Sequence, residues 1–271
     1  MTIGARWLTF LLLFTLPHIA SAGDKEEWTS LFNGKDLTGW DTSLGRGDKA
    51  IINEDPKEVY TVVKVDGKPA IRISGQIFGA ITSKKEYANY HLKLQFKWGK
   101  KRWPPRANAR RDSGLLYHCV GPVPAPGNVW MKSQELQIQE GDCGDYWGVA
   151  GAMINVEGYR KNDKGAVIYK KGGKSYAIPS KGIPRHAIKS PDNEKPSGEW
   201  NTIELFTMGT KSVHVVNGKT VMILTDSRHV VDGKVVPLSR GKLQIQSEGA
   251  EVYYRNLMIR EIDAIPEKYL K

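Results

Sequence analysis

The residues whose types and spacing could do chemistry lie between Arg111 and Trp147, 37 residues reading RDSGLLYHCVGP, a Pro/Gly loop, then SQELQIQEGDCGDYW. SQELQIQ alternates by residue, as a strand does when successive side chains point to opposite faces. Leu136 and Ile138 share one face; Ser133, Glu135, Gln137 and Gln139 share the other. A plain solvated strand would mix Lys and Thr into that polar row. Carboxylate and amides alone suit a groove that hydrogen-bonds something rich in hydroxyls, such as a sugar; an ordinary exposed edge strand is the alternative. KLQIQSE repeats the pattern, with Leu243 and Ile245 on one side and Gln244, Gln246 and Glu248 on the other. The two strands are expected on one sheet, lining its concave polar face. His118, beside Cys119 in the middle of the stretch, is the histidine to watch. Asp142 and Asp145, interleaved with Gly141 and Gly144, read as a plain Asp/Gly turn, with a calcium-binding turn as the alternative.

The elements that must position these residues are strands. Tyr90, Leu92, Leu94, Phe96 and Trp98 form one face of an alternating run, against His91, Lys93, Gln95 and Lys97. Thr61 to Val65, a turn at Gly67, then Ala70 to Ser74 reads as a hairpin. The clearest hairpin runs from Ser212 to Val216, through Asn217-Gly218, to Lys219–Leu224, because Asn-Gly favours a type I′ turn. Strand-like runs also cover 200–207 and 252–262, whereas 156–200 is expected to be a long set of loops over one end of the sheet. Short strands, many turns and hardly any helical period give an all-β chain, a β-sandwich or jelly roll.

Residues 1–22 read as a signal peptide: Arg6, an apolar run from Trp7 to Leu16, then Ala20-Ser21-Ala22. The expectation is an exported chain, periplasmic or extracellular, with residues 23–271 as a single domain and no membrane anchor. Cleavage removes one arginine and lowers the formal charge from +11 to +10. A basic balance invites nucleic acid, but export argues against that partner. Much of the excess lies in Lys97 to Arg111, with seven basic residues and no acid. This stretch reads as a solvated loop or as a rim that attracts anions. Cys119 and Cys143 are the only cysteines, and an even count after a signal peptide predicts one disulfide between them.

Nucleotide chemistry has no Gly-rich loop to stand on. No G-x-S-x-G elbow is present, and no paired His or Cys spacing supports a metal. No cofactor is therefore expected. Among exposed aromatics that stack on sugars, Trp147 leads Trp103, Trp130 and Tyr146.

Glu135-Leu-Gln-Ile-Gln-Glu140 resembles the E-x-D-x-x-E signature of laminarinase-type retaining glucanases, with Gln137 replacing the middle Asp. Those enzymes need two carboxyls about 5–5.5 Å apart. Glu135 and Glu140 would face opposite ways unless a bulge intervened. A broader resemblance rests on WTSLFNGKDLTGW (Trp28 to Trp40), DSGLLYH (Asp112 to His118), ELQIQ, GEWN (Gly198 to Asn201), VNGK (Val216 to Lys219) and LQIQSEG followed by YRN (Leu243 to Gly249, Tyr254 to Asn256). This ordered set is similar to the 3-keto-disaccharide hydrolase family, also described as 3-keto-glucoside 1,2-lyase / 3-keto-2-hydroxy-glucal hydratase. The resemblance implies a concanavalin A-like jelly roll and a glucoside already oxidised at C3 by a partner oxidoreductase. On it, Glu135 is assigned as base or acid, His118 as a second acid–base group, and Arg111 as the cation for the enolate. Gln137, Gln246, Glu248 and Trp147 are assigned to the sugar, and Asp112 and Asp145 to orienting their neighbours. A non-catalytic carbohydrate-binding module is the competing reading, since fold does not fix function.

Overall fold

The computed structural model describes Met1 and residues 27–271. The signal peptide expected over 1–22 therefore lies outside the described residues, save Met1. The strands in chain order are β1 (Thr29–Ser30), β2 (Trp40–Leu44), β3 (Ile51–Ile52), β4 (Tyr60–Val65), β5 (Lys68–Ile73), β6 (Gly79–Ser83) and β7 (Tyr90–Arg102). Next come β8 (Asp112–Val120), β9 (Lys132–Gln139), β10 (Tyr146–Val149), β11 (Met153–Tyr159), β12 (Val167–Tyr169), β13 (Lys174–Ile178) and β14 (His186–Ile188). The last six are β15 (Asn201–Met208), β16 (Lys211–Val216), β17 (Lys219–Val231), β18 (Lys234–Pro237), β19 (Lys242–Ser247) and β20 (Ala250–Glu261). Two short 3-10 turns are the only helical pieces among the described residues.

The pairings trace two layers. The front layer runs β3-β2-β6-β19-β8-β9-β10-β14-β12. The back layer runs β4-β5-β20-β7-β15-β16-β17. They join at one edge through β11, which pairs with β17 and also with β12 and β13. The inward rows of both layers meet in one hydrophobic core: Leu115, Leu136, Ile138, Leu243 and Ile245 from the front, Leu92, Leu94, Phe96, Ile203 and Val252 from the back. Alternation along each strand explains this, since every second side chain turns away from water. Two polar pairs bridge this interior, whereas Tyr90 Oη, Trp98 Nε1 and both ring nitrogens of His118 are buried there without a hydrogen-bond partner. Ser113 Oγ lies 2.7 Å from Tyr254 Oη across the layers, and Tyr117 Oη lies 2.8 Å from Ser212 Oγ. The fold is an all-β jelly-roll sandwich of the concanavalin A-like kind.

Asn217 and Gly218 both take positive φ, as a type I′ turn requires. The stretch expected as loops instead contributes β11 to β14. These strands are short and interrupted by Gly and Pro, so they carry little alternation. The back layer is also less open than its alternation suggested. His91 is buried against Glu204 at 2.8 Å, and the C-terminal Ile262 and Ile265 pack there with Phe206, Val213 and Val215.

Candidate active site

Three adjacent strands of the front layer carry the polar row. Leu116 of β8 pairs with Glu135 of β9, and Gly114 with Gln137; Gln244 of β19 pairs with Leu116 from the other side. Gly114 is the floor. A Cβ there would collide with the side-chain oxygens of both Gln246 and Glu135, so the absent side chain lets the two groups approach each other over the backbone. Around them lies a cavity of about 170 Å³. Asp112, Gln137, Gln139 and Glu248 line it with them, and Trp130, Trp147, Arg106 and Arg185 form its walls.

The walls come from β10, which carries Trp147, and from connections rather than from the three strands. Trp147 pairs with Glu135 on one side and with His186 on the other. The His186 ring stacks on the indole at 4.3 Å and 14°, and the Arg185 guanidinium sits 5.0 Å from its ring centroid. Arg106 arrives from the basic loop and pairs with Asp112 at 2.6 Å and with Glu248 at 3.8 Å. Trp103 fixes that loop: its backbone N–H donates to Gly249 O at 2.8 Å and its indole N–H to Ser74 O at 3.0 Å.

Three carboxyls facing one small cavity cannot all ionise cheaply. Burial, and then the neighbouring Glu248 and Asp112, push Glu135 well above the usual carboxylate range. Glu248 is pushed up to about 8 by burial and by Asp112, against the pull of Arg106. Asp112 rises only to about 6, because Arg106 and a hydrogen bond from Gln139 oppose its burial. Burial thus favours the protonated form of Glu135, while Arg106 draws Asp112 back toward the carboxylate. Among the described residues, Asp112 Oδ1, Gln246 Oε1 and Arg106 Nε are buried without a hydrogen-bond partner. Polar atoms so placed are costly unless a ligand or water completes them. No group of three His, Cys, Asp or Glu side chains among the described residues is placed to hold a metal ion.

Of the residues singled out in the sequence, Glu135, Gln137, Gln246, Glu248, Asp112 and Trp147 line this cavity. His118, Arg111 and Asp145 do not, and three corrections follow. The register slips between Tyr117 and Val120, and His118 takes φ +52°. This bulge turns the imidazole into the interior, edge-on to Tyr90 and Tyr117, where burial lowers it to about 4. Arg111 is one residue out of phase with Asp112. Its guanidinium binds both oxygens of Glu140, at 2.9 and 3.1 Å, and Gly99 O. Asp145 lies buried beneath the wall and holds His186 Nε2 at 2.7 Å, so it acts on Trp147 only through that ring. The Arg111–Glu140 pair also disposes of the laminarinase comparison. The β8–β9 register is regular over Glu135 to Gln139, and Glu140 stays outside the cavity.

The predicted disulfide is also corrected. Cys119 and Cys143 are both buried free thiols. The same bulge puts Cys119 with Leu116, Met131 and Val149 on the outer face of the front layer, while Cys143 belongs to the core between the layers. A sheet separates them. Four lining residues escaped the sequence reading as site residues: Arg106, Arg185, Val149 and Gln139, whereas Trp130 was among the aromatics noted there. Gln139 follows from the alternation already noted. The arginines come from segments with no periodicity, so only the pairing of β14 with β10 and the anchoring at Trp103 bring them in.

A sandwich with acids, amides, arginines and tryptophans around a sugar-sized hollow on its concave face defines a carbohydrate-active protein. The sequence matches the 3-keto-alpha-glucoside-1,2-lyase-like domain over residues 27–260, and the chain belongs to that family. It is a carbohydrate-active enzyme. A candidate glycosyl hydrolase of Parabacteroides distasonis ATCC 8503 shares the fold at 21% identity and TM-score 0.51, over 87% of this chain and 94% of that one. A second candidate glycosyl hydrolase structure from the same organism aligns at 21% identity and TM-score 0.49, over 87% and 100%. No curated protein matches the chain in sequence.

Proposed function

We propose that the chain cleaves glucosides already oxidised to the ketone at C3, by elimination across C1–C2 followed by hydration. The observation that carries this reading is two unlike carboxyls in one cavity: Asp112, with Arg106 on one oxygen and the other bare, and Glu135, buried where its protonated form is favoured. A ketone at C3 acidifies the proton at C2. The Asp112 carboxylate takes that proton, and the electron pair moves into the C2–C3–O system as an enolate. Arg106 and Arg185 stabilise the negative charge that develops. The C1–O bond then breaks as Glu135 gives its proton to the departing oxygen. Now Glu135 is the base and Asp112 the acid. In these exchanged states they add water across the enone, hydroxyl to C1 and proton to C2. Gln137, Gln246 and Glu248 hold sugar hydroxyls, and Trp147 offers its ring to the leaving side. A partner oxidoreductase supplies the ketone, and the pattern of residues 1–22 supports export to the periplasm or beyond.

The test sets oxidised and unoxidised disaccharides side by side. Turnover is expected only with the 3-keto form. Glu135→Gln should lower it by about 10²–10⁴-fold, the range for a positioned acid or base, without loss of folding. Binding of intact glycan without turnover of either form would leave a binding module instead.

A further inference from the structure

A second concavity, of about 700 Å³, lies away from the catalytic cavity and shares no residue with it. Lys170, Lys171, Lys219 and Lys271 line it, with the rings of Tyr159 and Tyr169 between them and no Asp or Glu in the lining. Lys219 and Lys271 also border an adjoining hollow of about 410 Å³ that adds Lys268, so the basic lining is continuous over both. Tyr159 is 45% exposed, whereas Tyr169 is buried and fixed by β12. The nearby acids are engaged. Glu157 accepts the N–H of Gly172 at 2.7 Å, Asp192 faces Lys189 at 3.7 Å, and Glu267 faces Lys271 at 3.7 Å in an exposed pair. Of the four lining lysines, Lys271 meets Glu267 and Lys171 Nζ donates to Leu270 O, while Lys170 and Lys219 have no ion-pair partner among the described residues and flank the aromatic rings of the trough.

We propose that this trough is an auxiliary docking site for an anionic polysaccharide, one bearing uronate carboxylates or sulfates. The lysines would meet the repeated negative charges, and the exposed Tyr159 ring would stack on a sugar face. Such a site would hold the enzyme on a polymer whose oxidised ends or branches are substrate. The docking claim does not depend on the 3-keto chemistry, because binding and turnover are read separately.

Affinity electrophoresis of the full chain measures it, in gels containing polygalacturonate, chondroitin sulfate, neutral glucan or polyphosphate. Retardation by the first two is expected, absent with neutral glucan and weakened by salt. Lys170→Glu combined with Lys219→Glu should weaken binding at least about tenfold, and Tyr159→Ala should weaken it while leaving the charge untouched. Turnover of a small 3-keto-disaccharide should be unchanged in both variants. No retardation, retardation indifferent to either variant, or equal retardation by polyphosphate would each overturn the proposal. The Tyr159→Ala arm keeps the test valid should the charge reversal disturb folding.

Discussion

A single missing side chain sets the chemistry at the level of residues. Gly114 leaves room for Gln246 and Glu135 to meet over it. Gly114→Ala should therefore cost about 1–3 kcal/mol of stability, the usual penalty of overpacking, and most of the activity. Full turnover in that variant would show that the two groups need not touch. Glu248 makes the second residue-scale prediction. Its carboxyl, pushed up to about 8, binds its proton more tightly in the folded chain than in the unfolded one. The stability this gives is fully present below the ordinary glutamate pKa and is lost as pH rises through about 8. The urea midpoint should fall between about pH 5 and about pH 9, and Glu248→Gln should flatten that slope. A slope identical in the variant would assign the effect elsewhere. Asp112, raised to about 6, adds a smaller loss of the same sign at lower pH.

For the elements, β14 decides whether Trp147 is rigid. Asp145 holds His186, which stacks on the indole. His186→Ala should raise KM for the 3-keto substrate several-fold and change kcat little, since it removes a wall and no proton carrier. An equal fall in kcat would place His186 in the chemistry. The strands that made this site visible in sequence were those with clean alternation. Glu135, Gln137, Gln246 and Glu248 were legible because a strand's period puts them on the face opposite Leu136, Leu243 and Ile245. His118 and Cys119 were misplaced because a one-residue bulge reverses every assignment beyond it, and nothing in YHCV announces one. Arg106 and Arg185 were illegible for another reason. They reach the cavity through tertiary anchoring, which leaves no local period.

Taken as a whole, the molecule relies on its packed layers rather than on covalent staples. The two thiols lie on opposite faces of the front layer, so both should alkylate in the unfolded protein without prior reduction, and reductant should leave Tm unchanged. A mass two protons lighter per chain before reduction would contradict this arrangement. The all-β architecture and the hairpins at Asp66-Gly67 and Asn217-Gly218 were legible from turn chemistry. The joining of the layers through β11 was not, because its partners are short and irregular. One feature of the whole fold bears on how the enzyme could be reshaped. Trp103 ties the basic loop to Gly249, the residue after Glu248, so Arg106 and Glu248 ride on one joint. A bulkier sugar that presses on the arginine presses on the acid as well. Remodelling for new leaving groups should thus spare that corner and work on the other bank at Trp147 of β10, while keeping Arg185, whose charge draws Glu135 and Glu248 toward their ionised forms.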